Sequence, residues 1–270
     1  MRTLILTLFF TAGAANAQKL LEPVTPNVLL RGWSGSVSTS AGLNSIGGEA
    51  PDRESAKAPA RSNTIATSIR YNPVSFWYAG ATFVRYVQPA RRQPWNPDFT
   101  YGFGYNDWHP GTWSVTYDNY GANCLRCKGG SPMTRFQEGS FSLGYKAPIT
   151  RGPFALSAGA HVSPRYFDLA SNNKRAAKGT ATADIRWTVY GRWYVSGHAV
   201  YYPIRGQQQP WDPDFTYGFG YFDWRPGKIS IEYSNYAANR FAKSTQAGRR
   251  GTFQDGSVSV SWTWKQRGKG

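Results

Sequence analysis

Three histidines, two cysteines and 15 carboxylates stand beside 31 Lys and Arg in this 270-residue chain, so the reactive chemistry open to it is narrow. Cys124 and Cys127 form a C-x-x-C pair. Zinc would need two further ligands at suitable spacing and none are near, while Lys128 stands where a haem-attachment motif needs His. A small local disulfide is therefore expected in an oxidising compartment, and no metal or other cofactor is expected. Nucleophilic catalysis would need a His within hydrogen-bond reach of a Ser. His109 sits in a turn, His161 and His198 read as inward-facing beside Asp184 or Ser residues, and no G-x-S-x-G is present. The expectation is that the chain is not an enzyme.

Two further groups of residues point to binding. Trp95 and Trp211 lie in Pro-restricted segments, Gln93-Pro94-Trp95 and Gln209-Pro210-Trp211, close to Asn96/Asp212 and Asp98/Asp214. A rigid Trp among amides and carboxylates suits stacking on a sugar ring. The same residues also make a tight turn in which Trp is an anchor and Asn96/Asp212 caps the bend. Arg91, Arg92, Arg126, Lys128, Lys174, Arg175, Lys178, Lys243, Arg249 and Arg250 cluster between the periodic segments, and the formal net charge is +16. No helix, zinc module or stacking motif accompanies that charge, so nucleic acid is not an expected partner.

The elements that must position these residues come from a repeat. Residues 93–108, QPWNPDFTYGFGYNDW, return 116 positions later at 209–224 as QPWDPDFTYGFGYFDW. At the same offset Ile69-Arg70 matches Ile185-Arg186, Trp77-Tyr78 matches Trp193-Tyr194 and Asn119-Tyr120 matches Asn235-Tyr236. The period is too long for a solenoid, which makes each copy a multi-strand unit, repeat one 28–147 and repeat two 153–264. With 29 Gly, 17 Pro and 43 aromatic residues the composition is all-β. Period-two alternation places strands at 28–39, 62–72, 75–87, 98–107, 112–122, 136–146, 153–164, 178–188, 192–202, 214–223, 228–238 and 253–264. On one face of these strands fall Arg70, Asp118, His161, Asp184, Arg186, His198 and Glu232, with Gly102, Gly104, Gly218 and Gly220. Those glycines either leave room in a lumen or let large inward side chains pack on bare backbone.

Met1-Arg2, the apolar stretch Leu4 to Phe10 and Ala15-Asn16-Ala17 make 1–17 an export signal, leaving 18–270 as one mature unit with a basic tail at 265–270. No later run approaches the ~20 apolar residues of a membrane helix. Short connections follow even-numbered strands and longer loops, at roughly 40–61, 88–97, 123–135, 165–177, 203–213 and 239–252, follow odd-numbered ones. This alternation, the even strand count and the export signal resemble bacterial outer-membrane β-barrels, with short periplasmic turns and long extracellular loops. The resemblance implies a twelve-stranded antiparallel transmembrane barrel assembled by the outer-membrane barrel machinery, its apolar face against lipid. Trp77, Trp108, Trp113, Trp187, Trp193 and Trp224 would ring one interface and Phe99, Phe215, Tyr120, Tyr202 and Tyr236 the other. A soluble sandwich or lipocalin-like barrel with the apolar face inward is the competing fold. Unlike many such barrels the chain does not end on an aromatic residue, since Lys265 to Gly270 follow Trp264.

Twelve strands at ~4.8 Å spacing and ~40° tilt enclose roughly 24 Å of backbone, with a lumen near 10–14 Å before side chains are counted. Similarity to twelve-stranded porins for acidic oligosaccharides implies a channel for anionic solutes, with an acidic oligosaccharide or exported polysaccharide as cargo. Arg70, Arg186, Asp184, His161, His198, Asp118 and Glu232 would line it, and Trp95, Trp211, Arg91, Arg92, Arg249 and Arg250 would meet ligand at the mouth. The basic loops would alternatively pair with lipopolysaccharide phosphates. Two other functions stay open: a structural barrel plugged by its own side chains, and a barrel enzyme acting on lipid or lipopolysaccharide. The sequence leaves oligomeric state open.

Overall fold

The computed structural model describes residues 32–43, 63–89, 96–121, 123–125, 135–149, 151–168, 173–209, 212–236, 239–241 and 252–267. They form twelve strands: β1 (Gly32–Gly42), β2 (Thr64–Asn72), β3 (Trp77–Tyr86), β4 (Phe99–Asn106), β5 (Trp113–Asn119), β6 (Ser140–Lys146), β7 (Phe154–Asp168), β8 (Asn173–Tyr190), β9 (Trp193–Tyr201), β10 (Phe215–Tyr221), β11 (Ile229–Asn235) and β12 (Ser257–Arg267). Each pairs antiparallel with its chain neighbours, and β1 pairs with β12 from Gly32↔Arg267 to Gly42↔Ser257, closing the barrel. Closure leaves no edge strand. Among the described residues no helix is long and apolar enough to cross a membrane.

Alternation decides which face is which. Trp33, Val37, Ile65, Ile69, Trp113, Val115, Leu143, Leu156, Ile185, Trp187, Val195, Ile231 and Trp262 are exposed, while their strand neighbours of opposite parity are polar or glycine apart from Ala66 and Ala155. The apolar side chains therefore face outward, and the arrangement of a soluble barrel, with that face inward, is not what forms. The period-two pattern cannot choose between the two because it fixes parity, not polarity of the enclosed space.

Several boundaries differ from the pattern. Phe136–Glu138 and Phe253–Asp255 are 3-10 turns rather than the starts of β6 and β12. They fold back over the outer face: Phe136 stacks on Tyr117 at 4.3 Å and Phe253 on Tyr233 at 4.5 Å. The segment expected as a long loop at 165–177 is mostly strand, because β7 and β8 stay paired out to Asp168↔Asn173. The two aromatic rings also need amendment. Trp108, Tyr202 and Tyr236 are buried rather than at the outer surface. Trp108 stacks on His109 at 3.8 Å, and the Tyr202 hydroxyl donates to the Pro213 carbonyl at 3.1 Å. A residue just beyond a strand end is free of the alternation, so its side chain turns in where a ring or a polar partner receives it, a stack for Trp108 and a carbonyl for Tyr202.

The lumen as the candidate functional site

All seven residues expected to line a lumen, Arg70, Asp118, His161, Asp184, Arg186, His198 and Glu232, stand on the inward parity of their strands, opposite outward-facing Ile69, Tyr117, Val162, Ile185, Val195 and Ile231. Arg70 on β2 lies over the Tyr78 ring of β3, 3.9 Å from its centroid, and its Nε donates to Asn72 Oδ1 at 3.2 Å. At 116 positions on, Arg186 of β8 lies over Tyr194 of β9 at 3.6 Å, with Phe222 at 5.4 Å. The ring faces attract each guanidinium and fix its plane. The acid is placed differently in the two halves. Asp118 has Ser234 as its counterpart and Glu232 has Thr116, so the carboxylate shifts by one inward position along the strand.

Hydrogen-bond accounting separates the acids from the arginines. Asp118 accepts from Thr116 at 3.3 Å and also from Tyr120; Glu232 accepts from Tyr194. Asp184 accepts from Ser157 at 3.2 Å and pairs with His198 Nδ1 at 2.6 Å. Arg186, only 3% exposed, has no partner among the described residues for Nε or Nη2, and Arg70 has none for Nη2. A buried donor without an acceptor costs roughly 1–3 kcal/mol, and more when charged. The carboxylates are hydrogen-bonded by the protein, whereas these guanidinium N–H groups are buried without a hydrogen-bond acceptor among the described residues, Arg70 in the field of Asp118 and Arg186 in that of Glu232.

Exposure varies around the inner face. On β4, β5, β10 and β11 the inward Thr100, Thr116, Thr216, Ser230 and Ser234 are buried by their neighbours. The side of β8 and β9 is wetter, since the Asp184 and His198 side chains are 45% and 30% exposed. The glycines follow the packing reading where a Cβ can be placed: at Gly102 it would overlap the Asp118 carboxylate, and at Gly104 and Gly220 the backbone of β5 and β11. Gly104 also has φ +149, which a side chain would strain. Lys146, at the short-turn end, is buried and donates to the Asp107 carbonyl at 2.6 Å and to Asn106 at 3.3 Å.

No family model and no curated protein matches this chain. The remaining support is geometric. Both rims are built on residues that recur between the halves. At the long-loop end Asp98 accepts from the Leu125 N–H and Asp214 from the Phe241 N–H, both at 2.9 Å. Arg240 then ties its segment to Asp212, Asp214 and Gln209, and Lys178 pairs with Asp212. In the first half Cys124 holds the position of Arg240 and Asn96 that of Asp212; cation and anion are replaced together, and Cys124 is disulfide-bonded. At the short-turn end Asp223 accepts from Arg225 at 2.6 Å and faces Arg192 at 3.1 Å. The Arg225 hydrogen bond and the two nearby cations hold the Asp223 carboxyl at about 2, against 3.8 ordinarily.

Trp95, Trp211, Arg91, Arg92, Arg249, Arg250 and Cys127 lie outside the described residues. Sequence reasoning missed the Tyr78 and Tyr194 platforms and the buried asparagines. Asn119 and Asn235, both 0% exposed, and Asn123 and Asn239 bridge strand end to loop: Asn119 Nδ2 donates to the Arg135 carbonyl at 2.9 Å, Asn235 Nδ2 to Thr252 at 2.7 Å. The signal was present, since TYDNYGAN at 116–123 returns as EYSNYAAN at 232–239 with Asn unchanged at both places.

Proposed function

We propose that the protein is an outer-membrane β-barrel that conducts small anionic solutes through a narrow polar lumen. The observation that carries the reading is the contrast inside the barrel: the inward carboxylates are hydrogen-bonded by the protein, while Arg186 Nε and Nη2 and Arg70 Nη2 have no acceptor among the described residues. An anion at Arg70 or Arg186 would accept those bonds in place of its water shell once the guanidinium turns toward it, which lowers the cost of entering a constriction. The outward apolar band supports a lipid-facing exterior, because so much exposed Trp, Val, Ile and Leu would otherwise meet water. On this reading residues 1–17 direct export, the barrel machinery inserts the strands and lipopolysaccharide surrounds the loops. An acidic oligosaccharide or exported polysaccharide is the cargo class we favour, its charged groups met by the two arginines from opposite walls of the barrel.

One observation favours a second reading, a structural barrel with a closed lumen: Asn106, Thr100, Ser230 and Lys146 are nearly shut off from water. Flux from proteoliposomes separates the two. Chloride or gluconate release well above that of protein-free vesicles supports the channel, and release that falls when Arg70 and Arg186 are both replaced by Met supports the arginine pathway. Tight vesicles carrying folded barrel would reject it.

A further inference from the structure

The inward face of β6–β9 carries a hydrogen-bonded run that the conduction reading does not use. Ser142 Oγ lies 2.6 Å from His161 Nδ1, and His161 Nε2 lies 3.2 Å from Thr182 Oγ1. Asp184, the next inward residue of β8, pairs with His198 Nδ1 at 2.6 Å. Ser142 on β6 and His161 on β7 are both half-buried.

The other half of the barrel supplies an internal control. Ser40 faces Ser259 across β1 and β12 as His161 faces Ser142 across β7 and β6. Ala66, Ser68 and Thr82 precede Thr182, Asp184 and His198 by 116 positions. There Ser68 Oγ and Thr82 Oγ1 meet at 2.8 Å, where the second half has Asp184 and His198. Hydroxyls and a methyl thus suffice to fill this wall. Two imidazoles and a carboxylate in the other wall are not demanded by closure.

We propose that Ser142 and His161 hydrolyse small carboxylic esters that enter the lumen, an activity separate from anion conduction. With Nε2–H donating to Thr182, the His161 tautomer leaves Nδ1 to accept the Ser142 proton. Ser142 Oγ bonds to the ester carbonyl carbon as its proton passes to His161. The carbon–alkoxide bond then breaks, and His161 returns that proton to the departing alcohol. Water next attacks the acyl-serine, giving one proton to His161; the Ser142–carbonyl bond breaks, Ser142 Oγ regains the proton and the carboxylic acid leaves. Because the serine faces the lumen and not the lipid side, the substrate is a water-borne ester rather than a membrane lipid.

The test uses the full chain refolded in detergent, treated with a fluorophosphonate probe and mapped by peptide mass spectrometry, with p-nitrophenyl acetate turnover in parallel. Ser142 should carry the label, Ser142→Ala should lose both label and turnover, and His161→Ser should slow labelling by about 100-fold or more, the scale of a general base. His161→Ser copies the Ser40 arrangement and is expected to fold; if its gel mobility shows otherwise, His161→Gln takes its place. A folded wild-type barrel left unlabelled at Ser142, labelled only elsewhere, or labelled equally fast without the imidazole overturns the proposal. Flux of Ser142→Ala vesicles should equal wild type, so a loss here is separable from a loss of conduction.

Discussion

Gly256→Ala is the substitution that most directly probes how the 3-10 turns lock the rim. Gly256 has φ −81 and ψ 178, a conformation open to alanine, so no backbone strain enters. A Cβ there would instead overlap the Tyr233 hydroxyl and ring. Tyr233 is seated by its stack on Phe253, 4.5 Å and 14° between planes, and by its 2.6 Å hydrogen bond to the Phe253 carbonyl. Displacing the ring forfeits a stack of about 0.5–1.5 kcal/mol and leaves a carbonyl short of its donor at about 1–3 kcal/mol. The expected cost is about 2–4 kcal/mol, read from urea unfolding in detergent micelles by tryptophan fluorescence. The same substitution in a Tyr233→Ala background should cost less than about 0.5 kcal/mol, because the clash has lost its partner. A near-neutral Gly256→Ala, or an equal cost in both backgrounds, would refute the packing argument. Gly139, which meets Tyr117 in the same way, should repeat the result.

Three other outcomes follow from the described geometry. Asp223 has a folded value of about 2 against 3.8, so its contribution is complete above 3.8 and is lost as the pH falls through about 2; Asp223→Asn should flatten the acid limb of thermal stability between those values. Leu143→Arg, in the middle of β6 on the outer face, should lower stability in lipid by about 2–4 kcal/mol while leaving it nearly unchanged in urea-free detergent gels. Asn235→Ala should lower the unfolding midpoint, since Asn235 donates to Thr252 at 2.7 Å and Tyr233 at 3.1 Å and accepts from Asn239 at 3.0 Å with no exposure to water.

Much of the barrel was legible because alternation and duplication are local properties of the chain. Twelve strands, their order and the shared parity of Arg70, Asp118, His161, Asp184, Arg186, His198 and Glu232 follow from period two and short turns, while the exposure of the apolar side chains decides that this shared face is the inner one. What failed lies where alternation stops. Phe136 and Phe253 look like strand residues but fold over the outside, because Asn119 and Asn235 offer buried hydrogen bonds to the chain just ahead of them, the Arg135 and Thr252 carbonyls. Trp108 and Tyr202 look like interfacial anchors but turn in beyond the strand ends. The long β7–β8 hairpin was hidden because Lys174, Arg175 and Asn residues read as loop, although sheet pairing extends past them. Most telling, the repeat itself drew attention to what is shared, whereas Asp184, His161 and His198 are informative because the other half lacks them.

The central claim is best tested by the reversal potential of single channels in a planar bilayer under asymmetric KCl. The account predicts steady steps whose reversal potential lies toward that of chloride, moving back toward zero when Arg70 and Arg186 are both changed to Met. A folded barrel that inserts yet stays silent, or one that prefers potassium with both arginines in place, would contradict it.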